Sequence, residues 1–122
     1  MKKQESKPIK SREFRAELGK IMPGYKWTVH RSLAAFFMEA TGIKSAGLNR
    51  ISTLRVCRIE EAGTVEYEVK SAGFGCHSPW LHENTDGTLA RALRGLQDHY
   101  ETMANEYSSH AHHLQSSRKN GN

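Results

Sequence analysis

The chain has 122 residues, of which 37% are hydrophobic and 25% charged, with a formal net charge of +5. This length and balance fit one polar globular domain. They exclude a bilayer-spanning helix, because the best apolar run, SLAAFFMEA, is short and ends near a glutamate.

The N-terminal MKKQESKPIKSREF is basic but has no apolar h-region. Only Cys57 and Cys76 occur, so no disulfide framework is expected, and the reading is a cytoplasmic protein with reduced thiols. Residues 1–31 hold nine basic side chains and three acids, whereas the remainder holds nine and ten. The positive excess therefore belongs to the N-terminal quarter, a distribution suited to nucleic acid or an acidic protein surface.

In chain order, Ser11 caps a short helix over REFRAELGKIM, with Phe14, Leu18 and Ile21 on one face and Pro23-Gly24 ending it. YKWTVH alternates as a half-buried strand, with Tyr25, Trp27 and Val29 facing one way. Residues 32–48 read as a short helix closed by Gly42, or as a loop. STLRVCRIE and TVEYEVKSA form a hairpin through EAG, with Leu54, Val56, Val65, Tyr67 and Val69 on the buried face. Arg55 is expected outside, beside Glu66 and Glu68.

GFGCHSPWLHENTDG is expected as a loop, with Asp86 capping a long helix. There Leu89, Leu93, Leu96, Tyr100, Met103, Tyr107, Ala111 and Leu114 recur at helical steps. A helix over 88–115 would span about 42 Å, against roughly 20–30 Å for strands of six to nine residues. It should overhang the sheet, leaving Tyr100, Met103, Tyr107, Ala111 and Leu114 to meet a partner or a second copy.

The order α-β-β-β-α, both helices on one face of an antiparallel sheet, resembles a double-stranded-RNA-binding domain over roughly residues 11–110. That family carries a Gly-Pro-x-His turn in its first hairpin and a Lys-Lys-x-Ala-Lys run opening its final helix. Here the hairpin reads Glu60-Glu61-Ala62-Gly63 and the helix opens Thr88-Leu89-Ala90-Arg91-Ala92. The resemblance is one of element order, and no family is assigned from it.

Lys-Ser-Ala-Gly occurs twice, at 44–47 and 70–73, followed by Leu48 and Phe74. Glycine permits an anion-binding nest, but neither copy has a Walker pattern, so both read as strand ends. The Cys76-His77 pair lacks a third ligand or a recognised triad. Trp80 reads as a core plug rather than a stacking platform. Glu106, His110 and His113 share a stripe that reads as a solvated flank. Arg94 pairs with Asp98 at i,i+4, which leaves Arg91 the freer cation.

The expectation is an α+β domain over 11–115 with about three antiparallel strands, a basic arm at 1–10 and a polar tail at 116–122. Its expected function is non-enzymatic binding of nucleic acid or an acidic partner through Lys10, Arg12, Arg15, Lys20, Lys26, Arg31, Lys44 and Arg50. The alternative is a small protein–protein module acting through the C-terminal helix, an inhibitor or adaptor of the kind phages or plasmids direct at host defence. No cofactor or metal is expected.

Overall fold

The computed structural model describes residues 11–32, 34 and 36–118, so the basic arm at 1–10 and Lys10 with it lie outside the described residues. The elements are α1 (Ser11–Ile21), β1 (Lys26–Val29), β2 (Phe37–Ala46), β3 (Asn49–Glu61), β4 (Thr64–Ala72), β5 (Trp80–Asp86) and α2 (Leu89–Ser117). The strands form one antiparallel meander in the order β1-β2-β3-β4-β5. The α+β architecture agrees with expectation, but the described residues form five strands rather than about three.

The two extra strands have identifiable causes. Residues 37–46 pair as β2 with β1 and β3, in place of the expected helix or loop. Gly42, read as a helix stop, lies opposite Trp27 in the register. A Cβ there would come within 2.7 Å of the Trp27 indole, so the glycine is a notch for that ring. The Trp27 Nε1–H donates to the Met22 carbonyl at 3.0 Å, holding the indole in place.

β5 replaces part of the expected loop and is polar on the side facing α2. His82, Asn84 and Asp86 lie in register with the inward-facing Ser71, Val69 and Tyr67. Each finds a partner on the helix. His82 stacks on His99 with ring centroids 3.5 Å apart. Asn84 Nδ2 donates to the Ala92 carbonyl at 3.0 Å, and Asp86 Oδ1 accepts from Arg91 Nε at 2.9 Å. Arg91 is therefore paired rather than free. Asp86 does not cap α2 either: Thr88 does, accepting from the Arg91 backbone N–H at 3.2 Å. The hydrogen bonds from Arg91 and the Gly87 N–H hold the Asp86 carboxyl below its ordinary range.

Phe14 and Leu18 of α1, Ala40, Leu54, Val56, Tyr67 and Val69 of the sheet, and Leu89, Ala92, Leu93 and Leu96 of α2 form one core. Both helices thus cover the same face. A polar chain ties α1 down: Tyr67 OH donates to Glu17 Oε1 at 2.9 Å and accepts from Arg58 Nε at 3.1 Å. Burial pushes the Tyr67 hydroxyl pKa up. On the uncovered face Arg55 lies opposite Lys70 and near Glu68, as expected, but its ion pair is with Glu39 of β2. The β3–β4 turn is two residues, Ala62 (φ 52°) and Gly63 (φ 81°), both in the left-handed region that a tight hairpin of this twist requires.

Alternating strand directions set the two ends of the molecule. One end gathers the turns 22–25, 46–49 and 73–79. The opposite end gathers 61–64 and 86–88, where α2 begins. α2 runs back across the sheet and leaves past the first end. Its buried positions stop at Leu96, Tyr100 and Met103 are half-buried, and 104–118 are all exposed. The helix continues to Ser117, two residues beyond the expected boundary.

Close approach of α2 to β5 depends on Gly95, where a Cβ would lie 2.0 Å from Asn84 Nδ2. Alanine ordinarily stabilises a helix interior by about 1 kcal/mol over glycine. Here Gly95→Ala should instead lower stability by about 1–3 kcal/mol, because it displaces Asn84 from the Ala92 carbonyl. Urea denaturation should show the loss, with Asn84→Ala in the Gly95→Ala background restoring part of it. A stabilised single variant would contradict this packing.

Candidate nucleic-acid interface

The turns at the end from which α2 emerges contain no Asp or Glu. The sequence is free of acids over 18–38, 40–59, 69–82 and 107–122, and these intervals supply the turns 22–25, 46–49 and 73–79 as well as α2 from Tyr107 onward, past Glu101 and Glu106. Acids concentrate at the opposite end, with Glu60, Glu61 and Asp86, and on the uncovered face and the first half of α2.

Four of the eight expected cationic residues come together at the acid-free end. Lys20 lies exposed in the last turn of α1, and Lys26 opens β1. Lys44 is exposed near the end of β2 with its ammonium over the 22–25 turn, 3.7 Å from where a Gly24 Cβ would sit. Arg50 lies half-buried at the start of β3, paired in register with Ser45. Arg12, Arg15 and Arg31 are exposed on α1 and just after β1, toward the other end, and Arg15 donates to the Trp27 carbonyl at 3.2 Å.

Apolar side chains project at the same end, beside Arg50. Leu48 is fully exposed and Phe74 is 67% exposed. Together with Arg50 and Cys76 they border a shallow cleft of about 510 Å³. Both copies of Lys-Ser-Ala-Gly are strand ends here, closing β2 and β4, and this is why Leu48 and Phe74 meet at one end. A hydrogen bond from Gly75 N to the Arg50 carbonyl, 2.8 Å, ties the second loop to β3. Gly75 adopts φ 102°, a conformation open to glycine, and Ser78 Oγ donates to the Phe74 carbonyl. Phe74 is thus held outward on a braced loop.

Trp80 is 44% exposed at the start of β5, not the buried plug expected of it. Sequence reasoning also passed over Leu48 and Phe74 as functional residues, although their place after each repeated tetrapeptide was the available signal. Phosphates would be attracted to the clustered cations, and an exposed aromatic ring offers a stacking surface for an unpaired base. The uncovered sheet face is less suited to a polyanion, since Glu39, Glu66, Glu68 and Glu83 stand on it beside Arg55 and Lys70.

Other candidates lie elsewhere. A cavity of about 440 Å³ between the helices is lined by Ile21, Tyr25, Leu54, Leu93 and Tyr100 among others, and its hydroxyls are paired as Tyr25–Ser52 and Ser71–Tyr100. His77 is exposed beside Cys76, while Glu106, His110 and His113 are exposed on α2. Among the described residues no group of three or more His, Cys, Asp or Glu is placed to hold a metal ion. No described helix is long and apolar enough to cross a membrane.

The two thiols differ sharply. Cys57 is buried on β3, and that burial pushes its pKa up, with Arg55 opposing the shift; Cys76 is exposed. A thiol reagent applied to the native protein at neutral pH should modify one cysteine quickly, and Cys76→Ser should abolish that phase. The second thiol should react only on unfolding. Two equally fast thiols would contradict the burial of Cys57.

No protein-family model, curated protein or solved structure matches this chain.

Proposed function

We propose that the protein is a non-enzymatic binding module for single-stranded nucleic acid, engaged at the acid-free end of the sheet. The observation that carries this reading is the placement of Lys20, Lys26, Lys44 and Arg50 at the end of the sheet whose turns present Phe74 and Leu48 to solvent and lack any carboxylate. The cations would contact the phosphate backbone and set affinity; Phe74 would stack on a base and tolerate many sequences.

Fluorescence anisotropy with a labelled single-stranded oligonucleotide tests the proposal. Four phosphate contacts give a salt slope near −3, so affinity should fall roughly 50-fold between about 50 mM and about 200 mM salt. Lys44→Ala and Arg50→Ala should each make that slope shallower by roughly 0.7. Phe74→Ala should weaken binding by about 1–3 kcal/mol while leaving the slope unchanged. Salt-insensitive binding, or none, would refute the proposal, and binding only to an acidic polypeptide would reassign the surface to a protein partner.

A second reading is a protein–protein module acting through α2, favoured by the exposure of Tyr107 (68%) and Leu114 (61%) on a stretch of helix that no described residue covers. Nuclease-treated lysate passed over immobilised protein should yield a partner that is lost when Tyr107 and Leu114 are both changed to Glu. Capture that ignores those changes would count against it.

A further inference from the structure

We propose that the projecting half of α2 pairs antiparallel with the same segment of a second copy of this chain. This deepens the reading of α2 as a protein-contact helix and rests on it; it is independent of nucleic-acid binding. Residues 104–117 extend about 21 Å beyond the covered part of the helix. They contain neither glycine nor proline, so the segment is a continuous rod. Along it Tyr107, Ala111 and Leu114 fall within roughly a quarter-turn of one another, continuing the face on which Leu93, Leu96 and Tyr100 meet the domain.

Charge distribution and side-chain size both select the second copy and the direction. Asp98, Glu101 and Glu106 lie before the exposed stripe and the cation Arg118 follows it, with His110, His112 and His113 along it and no acid after Glu106. In a parallel pair each of these groups would meet its like. In an antiparallel pair centred near Ser109 and His110, Glu106 runs beside the second copy's His113 and Glu101 beside its Arg118, and the same contacts recur across the twofold axis. Side-chain volume follows the same pattern. Antiparallel pairing sets the large Tyr107 ring against the small Ala111 of the other copy, where parallel pairing would crowd ring on ring and leave a gap between alanines. The seam is short, so the dimer should be weak and concentration-dependent rather than obligate.

Sedimentation equilibrium of the full chain, freed of nucleic acid, tests this. The weight-average mass should rise with concentration toward twice the monomer value. Changing both Tyr107 and Leu114 to Glu should weaken association at least about ten-fold. Because both side chains are exposed in the single chain, the far-ultraviolet spectrum and the urea midpoint should not move. In a Cys76→Ser background, Ala111→Cys, near the axis, should cross-link to its own copy faster than Ala104→Cys, away from it. A monomer at every concentration overturns the proposal, and so does a dimer indifferent to the glutamate changes. Cross-linking of Ala104→Cys as fast as Ala111→Cys would mean a parallel pair and overturn it as well.

Discussion

The arrangement depends on how the first two turns of α2 dock against the sheet. Leu89, Ala92, Leu93 and Leu96 are buried there, and each large aliphatic side chain removed from water contributes about 1.5–3 kcal/mol before entropy is counted. Gly95 lets β5 come close enough for Asn84 to bond inside the helix, and Thr88 fixes where the helix starts. With its beginning fixed in this way, a helix of 29 residues has its course determined. It crosses a sheet too short for it and carries the remaining apolar stripe into solvent.

The same connectivity turns a pattern along the chain into a pattern in space. A meander sends alternate turns to opposite ends, so acid-free stretches far apart in sequence are collected at one end, while Glu60, Glu61 and Asp86 stand at the other. The result is a molecule whose charge is segregated although its net charge is modest. Local potential, rather than the total of +5, governs which polyanion it attracts. The exposed rings and aliphatic side chains stand at that end, and α2 projects past it, so the two proposed surfaces adjoin one another without sharing residues.

Much of this was legible before any coordinates. The α1 face, the β1 alternation, the β3–β4 hairpin and the period of α2 all rest on apolar periodicity, which local sequence carries directly. The overhang followed from simple lengths. β5 was illegible because its inward positions are His82, Asn84 and Asp86, polar groups whose burial makes sense only against their partners on α2. β2 was illegible because Gly42 reads as a helix stop until Trp27 is seen lying over it. Of the eight cations expected to bind, the grouping of Lys20, Lys26, Lys44 and Arg50 needed the strand order, since charge counts alone pointed to the N-terminal quarter. Trp80 was misplaced for a related reason: it opens an edge strand, half out in solvent beside Lys70 and Glu83.

The most direct test of the central claim is to follow backbone amide signals by NMR while a single-stranded oligonucleotide is added at low salt. Shifts concentrated in residues 46–50 and 73–78, with smaller ones at Lys20 and Lys26, are what the acid-free end requires. Shifts centred on the Glu60–Thr64 turn or spread over the uncovered sheet face would place the interface elsewhere, and a spectrum that does not change would remove it.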